Sequence, residues 1–245
     1  QSISPSGVYY SGAYYENPEA EMAAKIWLGA DLIFDIDADH IPTSCDKQHD
    51  IWSCKNCGTS GHGARPKKCP NCEGEKFEAL VWPCDICLES AKQETMKLLE
   101  LLCQDLGFSE REIILAFSGH RGYHVHIENE ATRVLDAMSR KEIVDYLLGI
   151  GLELRFHGFD LKNGVGANLE DVGWKGRIAK GVYEILLSAE HLAQVGFSKK
   201  IAAQIVQQRD KILESWKTKG PWKILKGVGP DSWQKIIQKA VEKQS

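Results

Sequence analysis

The stretch LIFDIDADH, residues 32–40, places three carboxylates at alternate positions where an apolar run ends. The run predicts a buried strand over Leu32–Asp37. Side chains alternate between the two faces of a strand, so we predict that Asp35, Asp37 and Asp39 share one face. The end of this strand therefore carries a concentrated negative charge.

Neighbouring carboxylates resist joint ionisation, and burying them unpaired is costly, unless a cation lies between them. Mg²⁺ and Mn²⁺ prefer such oxygen ligands and are commonly held by one or two carboxylates together with substrate phosphates. Two such ions can activate an attacking hydroxyl and stabilise a leaving pyrophosphate. We predict that Asp35 and Asp37 are catalytic metal ligands and that Asp39, nearest the turn, is the one outside the coordination shell. The alternative is a strand end whose Asp residues only face solvent.

A second polar cluster lies in FSGHRGYHVHI, residues 117–127. The runs 113–119 and 123–128 predict two strands joined as a hairpin. Gly119 and Gly122 permit a tight turn, while Arg121 offers a fork suited to phosphate. We predict a nucleotide-binding turn that contains Ser118, Gly119, Arg121 and Gly122. The alternative is a hairpin turn with incidental polar residues.

Seven of the eight cysteines lie between Cys45 and Cys87, mostly in pairs separated by two residues. This clustering indicates thiolates that hold metal in a reducing compartment. Two pairs have zinc-ribbon spacing, and these are Cys54, Cys57, Cys69 and Cys72. A second Cys₃His set is formed by Cys45, His49, Cys84 and Cys87. We predict two structural zinc sites in a nested arrangement, and cross-bracing of Cys45 and His49 with an inner pair stays open.

The remaining pattern predicts an α+β protein. Helices are expected over 88–106, from Ser139 to Leu148, and through most of the chain beyond Gly181. We predict three parts, which are a catalytic core at 1–150 with a zinc-binding insertion at about 41–87, an irregular connector at 151–180 and a helical subdomain at 181–245. The segment LKGVGPDSW, 225–233, weakly resembles a helix-hairpin-helix DNA contact.

Composition narrows the class of protein. The net charge of −4 over 245 residues gives no global basic signature, so nucleic-acid contacts would come from local clusters such as Arg65–Lys68 or Lys175–Lys180. The sequence has no apolar run long enough for a membrane span and no signal segment, which predicts a cytoplasmic protein without membrane contact. Because it begins at Gln1 and stops at Ser245 in a charged helical stretch, we expect an excerpt of a longer chain.

Four segments together resemble the small, catalytic subunit of the archaeal and eukaryotic DNA primase, in its archaeal version. They are YYSGAYYENP at 9–18, WLGADLIFDIDADH at 27–40, the cysteine block ending in CDICLESAK at 84–92, and FSGHRGYHVHI at 117–127. The resemblance implies a mixed-sheet primase core with an appended helical subdomain. It places the catalytic divalent metals on Asp35 and Asp37.

The resemblance assigns further roles. Ser118, Arg121 and His124 would contact the phosphates of the incoming nucleotide. The family's zinc knuckle matches the Cys₃His set, so the Cys₄ ribbon is an insertion within it. The expected activity is synthesis of short RNA primers from NTPs on single-stranded DNA, and the preference between NTPs and dNTPs stays open. A primase large subunit is the expected partner, within nucleoid-associated replication machinery.

One element of the family pattern has no match here. Family members carry a third metal-binding Asp followed by a basic segment, and the acids available in 151–245, such as Asp160 and Asp171, lack that segment. We expect this Asp to lie beyond the given sequence, so that the chain binds metal and nucleotide poorly and does not prime by itself. Two other functions stay open, which are a related primase-polymerase of repair or of a mobile element, and a non-catalytic zinc-ribbon module that binds nucleic acid.

Overall fold

The structure, a computed structural model, describes residues 11–45, 48–80, 83–225 and 227–244. The chain divides into two compact units. The N-terminal unit runs to Cys103 and includes Phe108–Ala137, and the C-terminal unit comprises Gln104–Gly107 and the chain from Met138 onward. The start of the motif at 9–18, residues 9–10, lies outside the described residues.

The N-terminal unit is built from short strands and one long helix. Its elements are β1 Ala13–Tyr15, β2 Trp27–Ala30, β3 Leu32–Asp37, β4 Ile51–Cys54, β5 Ser60–His62, β6 Phe77–Leu80, α1 Asp85–Gln104, β7 Ile113–Phe117, β8 Gly122–Ile127 and α2 Glu130–Arg133. The predicted strand at 32–37 is confirmed in full. The predicted long helix is also confirmed, and it begins three residues earlier than the pattern indicated.

The central sheet has the strand order β3-β8-β7. The predicted hairpin is confirmed as the antiparallel pair β7 and β8, and β3 pairs antiparallel with the other side of β8. The prediction of a mixed sheet is wrong for the described strands, because every strand pair in them is antiparallel. The physical reason is the position of β8. Strands β3 and β7 run in the same direction but never meet, because β8 lies between them.

One face of this sheet is buried and the other carries the polar residues. Val125 and Ile127 on β8 are fully buried. The start of α1 packs near this face, where Cys87 and Ala91 form a cluster with Ala38. Side chains of opposite parity on β3 and β8 point to the other face. The acids and histidines predicted from the sequence therefore occupy the exposed face.

A second sheet, of order β5-β4-β6, forms the zinc-ribbon head, defined as residues 51–80. Trp52 lies over Gly61, where an added Cβ would come within 2.5 Å of the indole. The ring of Phe77 packs edge-on against Trp52 at 5.6 Å between centroids. This is a very small apolar core, and units of about 40 residues or fewer usually need metals or disulfides to fold.

The C-terminal unit is helical. Its helices are α3 Ala137–Leu147, α4 Gly173–Leu186, α5 Ala189–Gln194, α6 Lys199–Val206, α7 Arg209–Ser215 and α8 Pro230–Gln244. The predicted helices beyond 181 are confirmed in type, but residues 173–180, predicted as irregular connector, form the first half of α4. The described residues between α7 and α8 form turns, α8 begins within the segment 225–233, and the weak helix-hairpin-helix resemblance of that segment stays a prediction. None of the helices in the described part of the chain combines the length and apolar character that crossing a bilayer requires.

Candidate active site and metal centres

Strand β8 brings its polar side chains directly opposite the acids of β3. Asp35 pairs with His124 in the register, and Asp37 pairs with Gly122. The Nε2 atom of His124 lies 3.3 Å from a carboxylate oxygen of Asp35. Residues predicted separately from two distant segments therefore lie on one face of a single strand pair.

Asp37 and Asp39 share one cation, the guanidinium of Arg121. The Nη2 atom of Arg121 lies 3.1 Å from Asp37 Oδ2, and Nη1 donates a hydrogen bond to Asp39 Oδ2 at 3.1 Å. Both carboxylates are only 16% exposed, whereas Asp35 is 60% exposed. The guanidinium offsets a pair of largely buried charges that would otherwise be costly.

The prediction that Asp39 continues the strand alternation is wrong. Strand β3 ends at Asp37, and residues 38–40 form a 3-10 turn. The turn carries the Asp39 carboxylate next to that of Asp37, so that ligand atoms of Asp37, Asp39 and His40 lie within 4.8 Å of one another. Asp35 is outside that group, and the assignment of the metal to Asp35 and Asp37 stays a prediction.

One hydroxyl makes three hydrogen bonds within the turn between β7 and β8. Ser118 Oγ accepts hydrogen bonds from the backbone N–H groups of His120, Arg121 and Gly122 at 3.5, 3.3 and 3.0 Å. Gly119 adopts a φ of 83°, which favours glycine. In this structure the serine therefore shapes the turn that presents Arg121.

The outer zinc-ligand set is assembled as the sequence spacing indicated. His49 Nε2 lies 3.1 Å from Cys87 Sγ and 3.4 Å from Cys45 Sγ, and Cys84 and Cys87 sulfurs are 3.9 Å apart. Ligand atoms 2.3 Å from a tetrahedral zinc would be separated by about 3.8 Å, so the donor set fits this ion. Cys87 also packs against Ala38, directly after β3, so this centre lies at the back of the acidic strand end.

The inner set, of four cysteines, forms a separate cluster in the zinc-ribbon head. Sulfurs of Cys54 and Cys72 are 3.6 Å apart, as are those of Cys57 and Cys69. Each distance is far above the about 2.05 Å of a disulfide and close to the spacing of tetrahedral zinc ligands. The donor atoms group into these two sets of four, so the structure favours the nested arrangement over cross-bracing.

Ionisation within the Cys₄ cluster also fits a cation. Hydrogen bonds with the side chain and backbone of Thr59 lower the pKa of Cys57 to about 6. The Gly74 backbone favours the Cys72 thiolate, but the neighbouring Cys57, burial and the other thiols outweigh it and raise the pKa of Cys72 to about 12. Four adjacent thiols do not all ionise on their own, and a bound metal ion removes that restriction.

Two features of these sites were missed by reasoning from the sequence. His49 Nδ1 lies 2.9 Å from the buried carboxylate of Asp50, without hydrogen-bond geometry between the two atoms, so a negative charge lies directly beside the imidazole. The acid directly after the histidine was the available signal. The contact between Asp39 and Arg121 had no local signal in the sequence.

The two acids considered for a third metal ligand, Asp160 and Asp171, have local partners. Asp160 accepts a hydrogen bond from Asn163, and Asp171 lies 3.2 Å from Lys175.

Comparison with known proteins decides the family. A family model described as "DNA primase small subunit" matches residues 76–232, more than half of the chain. The chain belongs to the DNA primase small subunit family. The matched span includes the hairpin with Arg121 and His124 and two cysteines of the outer Cys₃His set, Cys84 and Cys87.

Similar proteins come from several archaea. DNA primase small subunit PriS of Nitrosopumilus maritimus is 36% identical over 73% of this chain and 48% of its own length. PriS of Cenarchaeum symbiosum is 37% identical over 71% of this chain and 47% of its own length, and PriS of Methanococcoides burtonii is 34% identical over 99% of this chain and 58% of its own length. The chain thus spans about half the length of these relatives. These matches confirm the predicted relation to archaeal primase small subunits.

Proposed function

We propose that this chain supplies the catalytic site of a DNA primase, which joins NTPs into short RNA primers on a single-stranded DNA template. The observation that carries the proposal is the convergence of Asp35, Asp37, Arg121 and His124 on one exposed face of the β3–β8 pair. Acids that hold metal and basic groups that hold phosphate are the two requirements of phosphoryl transfer. Family membership supports the same reaction class.

Asp35 and Asp37 would hold Mg²⁺ or Mn²⁺, because their oxygens are the hard ligands that these ions prefer. When bound, the ions would lower the pKa of the attacking 3′-hydroxyl and offset the charge of the leaving pyrophosphate. The exposed Asp35 side chain leaves room for a substrate oxygen beside it. No side chain has to act as a general base in this scheme.

Arg121 and His124 would bind the triphosphate of the incoming nucleotide. Arg121 is 39% exposed, so its guanidinium can exchange Asp37 for a phosphate without crossing a packed core. Asp39 keeps a contact with the same guanidinium and would hold it close to the metal ligands throughout. Ser118 would act indirectly, by shaping the turn. Its oxygen already accepts hydrogen bonds from the backbone N–H groups of that turn.

Zinc would have a structural role in both cysteine clusters, each of which is a closed set of four ligands. The Cys₃His site would fix the start of α1 behind the strand that carries Asp35 and Asp37, while the Cys₄ site would hold the zinc-ribbon head together.

The proposed partner is a primase large subunit, and the proposed location is the cytoplasm. The proposed substrates are NTPs, and dNTPs are a second substrate class to compare with them.

The metal site is tested without relying on turnover. In the wild-type chain, titration with Mn²⁺ should broaden the NMR signals of Asp35, Asp37 and His124 first, because paramagnetic broadening falls steeply with distance. Asp35→Asn/Asp37→Asn should abolish that early broadening. Glu128→Gln removes an exposed acid just beyond the far end of β8 and should leave it unchanged. Broadening at the same positions in the double Asp variant would contradict the proposal.

Primer synthesis is then measured on single-stranded DNA with NTPs, with and without the large subunit and with and without a preformed primer. Products formed without a primer identify a primase, whereas extension alone identifies a related polymerase of the same superfamily. The double Asp variant should reduce either product to background, and Glu128→Gln should not. Template binding without any nucleotide or metal binding would instead favour the non-catalytic module.

A further inference from the structure

The zinc-ribbon head carries a basic surface, which we define as Lys55, Arg65, Lys67 and Lys68. Residues 51–72 contain these four positive charges and no Asp or Glu, although the whole chain has a net charge of −4. Four thiolates around Zn²⁺ would carry a formal charge of about −2, which the four basic side chains outweigh. The rest of the head, residues 73–80, adds Glu73, Glu75, Glu78 and Lys76, so the excess of positive charge lies in residues 51–72 and not over the whole head.

The fold gathers these charges around one centre. Lys55 directly follows Cys54 and Lys68 directly precedes Cys69, and the Cys₄ cluster holds both knuckles together with sulfur distances of 3.6 Å. Arg65 and Lys67 lie in the same loop, before the second knuckle. The four side chains thus occupy one small head and do not spread along an extended segment.

None of the four basic residues is neutralised by a carboxylate of the described residues. All four are exposed, and among the ion pairs within the described chain none includes them. Two other lysines of the N-terminal unit are paired, Lys92 with Glu89 at 3.2 Å and Lys97 with Glu94 at 2.8 Å. Unpaired, clustered positive charge is the feature that attracts a polyanion.

The aromatic residues of the head define the mode of contact. Proteins that read single-stranded bases stack them on exposed aromatic rings. Trp52 is only 9% exposed and packs over Gly61, and Phe77 packs edge-on against it. These two rings pack against each other in the small core of the head, so they do not present a free face to a base. The surface therefore offers contacts to phosphates and no stacking platform for bases.

We infer that the basic surface of the zinc-ribbon head binds the phosphate backbone of the single-stranded DNA template, independently of base sequence. The inference rests on the proposed function only for the choice of ligand. It gives the ribbon a role beyond holding its own fold. An acidic protein surface is the competing occupant, and the experiment below separates the two.

The experiment compares DNA affinity and its salt dependence in two triple variants. Arg65→Gln/Lys67→Gln/Lys68→Gln removes three charges of the basic surface and leaves Lys55, next to a zinc ligand, in place. Lys92→Gln/Lys141→Gln/Lys217→Gln removes three lysines that pair with carboxylates and changes the net charge equally. Binding of labelled oligo(dT), oligo(dA) and a mixed-sequence strand is followed by fluorescence anisotropy at several salt concentrations, without nucleotide or divalent metal.

The ribbon variant should bind roughly tenfold more weakly at low salt, and the slope of log affinity against log salt should fall by about 2, since each phosphate contact on a single strand contributes about 0.7. The loss should be the same for all three strands. The control variant should bind as the wild type does. Zinc content and thermal unfolding, measured on each variant, establish that the head is folded.

An unchanged slope in the folded ribbon variant would overturn the inference, and would leave an acidic protein as the occupant of this surface. A loss confined to one base sequence would also overturn it. This binding is measured without nucleotide or divalent metal, so its outcome does not depend on metal binding by Asp35 and Asp37. Failure of the metal-site test would thus not affect this result, and failure of this test would not affect the metal site.

Discussion

Arg121 donates a hydrogen bond from Nη1 to Asp39 Oδ2 at 3.1 Å, although the two residues are 82 positions apart in the chain. Its other terminal nitrogen lies 3.1 Å from Asp37. A guanidinium in this position neutralises the acid that we propose as a metal ligand. Arg121 and a divalent cation therefore compete for Asp37 until a nucleotide triphosphate offers Arg121 another partner.

This competition predicts opposite changes in one variant. Arg121→Gln should weaken binding of a nucleotide triphosphate about tenfold, through loss of a charge-assisted hydrogen bond of about 1.5 kcal/mol. It should also tighten Mn²⁺ binding without nucleotide roughly threefold, because a partly exposed ion pair is worth up to about 1 kcal/mol. Both affinities are measurable by calorimetry.

Arg209→Gln provides the matched control, since Arg209 is exposed at the start of α7. It should leave both affinities unchanged. If Arg121→Gln weakened Mn²⁺ binding as well, Arg121 would be supporting the metal ligands instead of competing with the ion.

Sequence reasoning selected candidate site residues in each segment, but not how they meet. The apolar runs predicted β3 and the β7–β8 hairpin because strand formation depends on local alternation. Which strand pairs with β8 depends on long-range packing, so the register that places Asp35 against His124 came only from the structure. Asp39 was misplaced because the chain leaves the strand at Asp37 and enters a 3-10 turn.

Asp50 should tune the outer zinc site. Its carboxylate lies 2.9 Å from Nδ1 of His49, and a carboxylate beside a metal-bound imidazole raises the basicity of that ligand. Asp50→Asn should therefore lower zinc affinity roughly tenfold to a hundredfold. Competition with a chelator measures this loss, and the Cys₄ site serves as an internal reference.

Asp85→Asn is the control for this prediction, because Asp85 is an exposed acid between the ligands Cys84 and Cys87. It removes the same charge near the same site without touching His49. Equal loss of zinc in both variants would indicate a general electrostatic effect and would refute the specific role of Asp50.

The two glycines of the turn that we propose binds nucleotide should respond differently to alanine. A Cβ at Gly122 would lie 1.9 Å from the backbone oxygen of Ile36, so β3 and β8 would have to separate. A Cβ at Gly119 meets nothing within 4 Å, and only the left-handed φ of 83° opposes it. Gly122→Ala should lower the free energy of unfolding by about 3 kcal/mol, and Gly119→Ala by about 1 kcal/mol.

Urea denaturation of both variants, monitored by circular dichroism, provides the comparison. Equal losses would mean that the strand pair yields easily at Gly122, contrary to the close approach of the two backbones.

The prediction of an irregular connector failed where glycines occur in a packed helix. Residues 173–181 contain three glycines, which favour a loop by intrinsic propensity, yet they lie in α4. A Cβ at Gly176 would lie 1.7 Å from the carbonyl oxygen of Asp171, and one at Gly181 would lie 2.8 Å from Cβ of Ala240 on α8. Glycine is therefore required there by close packing, and tertiary contacts outweigh propensity.

The buried network of the C-terminal unit predicts a loss of stability at high pH. Tyr146 donates a hydrogen bond to Asp105 at 3.1 Å, and Asp105 also accepts one from the buried Arg177 at 2.9 Å. Burial of the phenol, together with the negative Asp105, raises the pKa of Tyr146 to about 12. The fold therefore favours the neutral phenol, and ionisation opposes folding.

The sign follows from comparing the two states. The unfolded tyrosine ionises near pH 10, so stability from this group is complete below about pH 10 and is lost as the pH rises towards about 12. Tyr146→Phe lacks the ionisable group. It should be less stable than the wild type at about pH 8, by about 1 kcal/mol for the lost hydrogen bond, and this difference should shrink above about pH 10. Urea unfolding of both proteins across this range measures the difference, and curves that stay parallel would show that Tyr146 ionises as easily in the folded unit as in the unfolded chain.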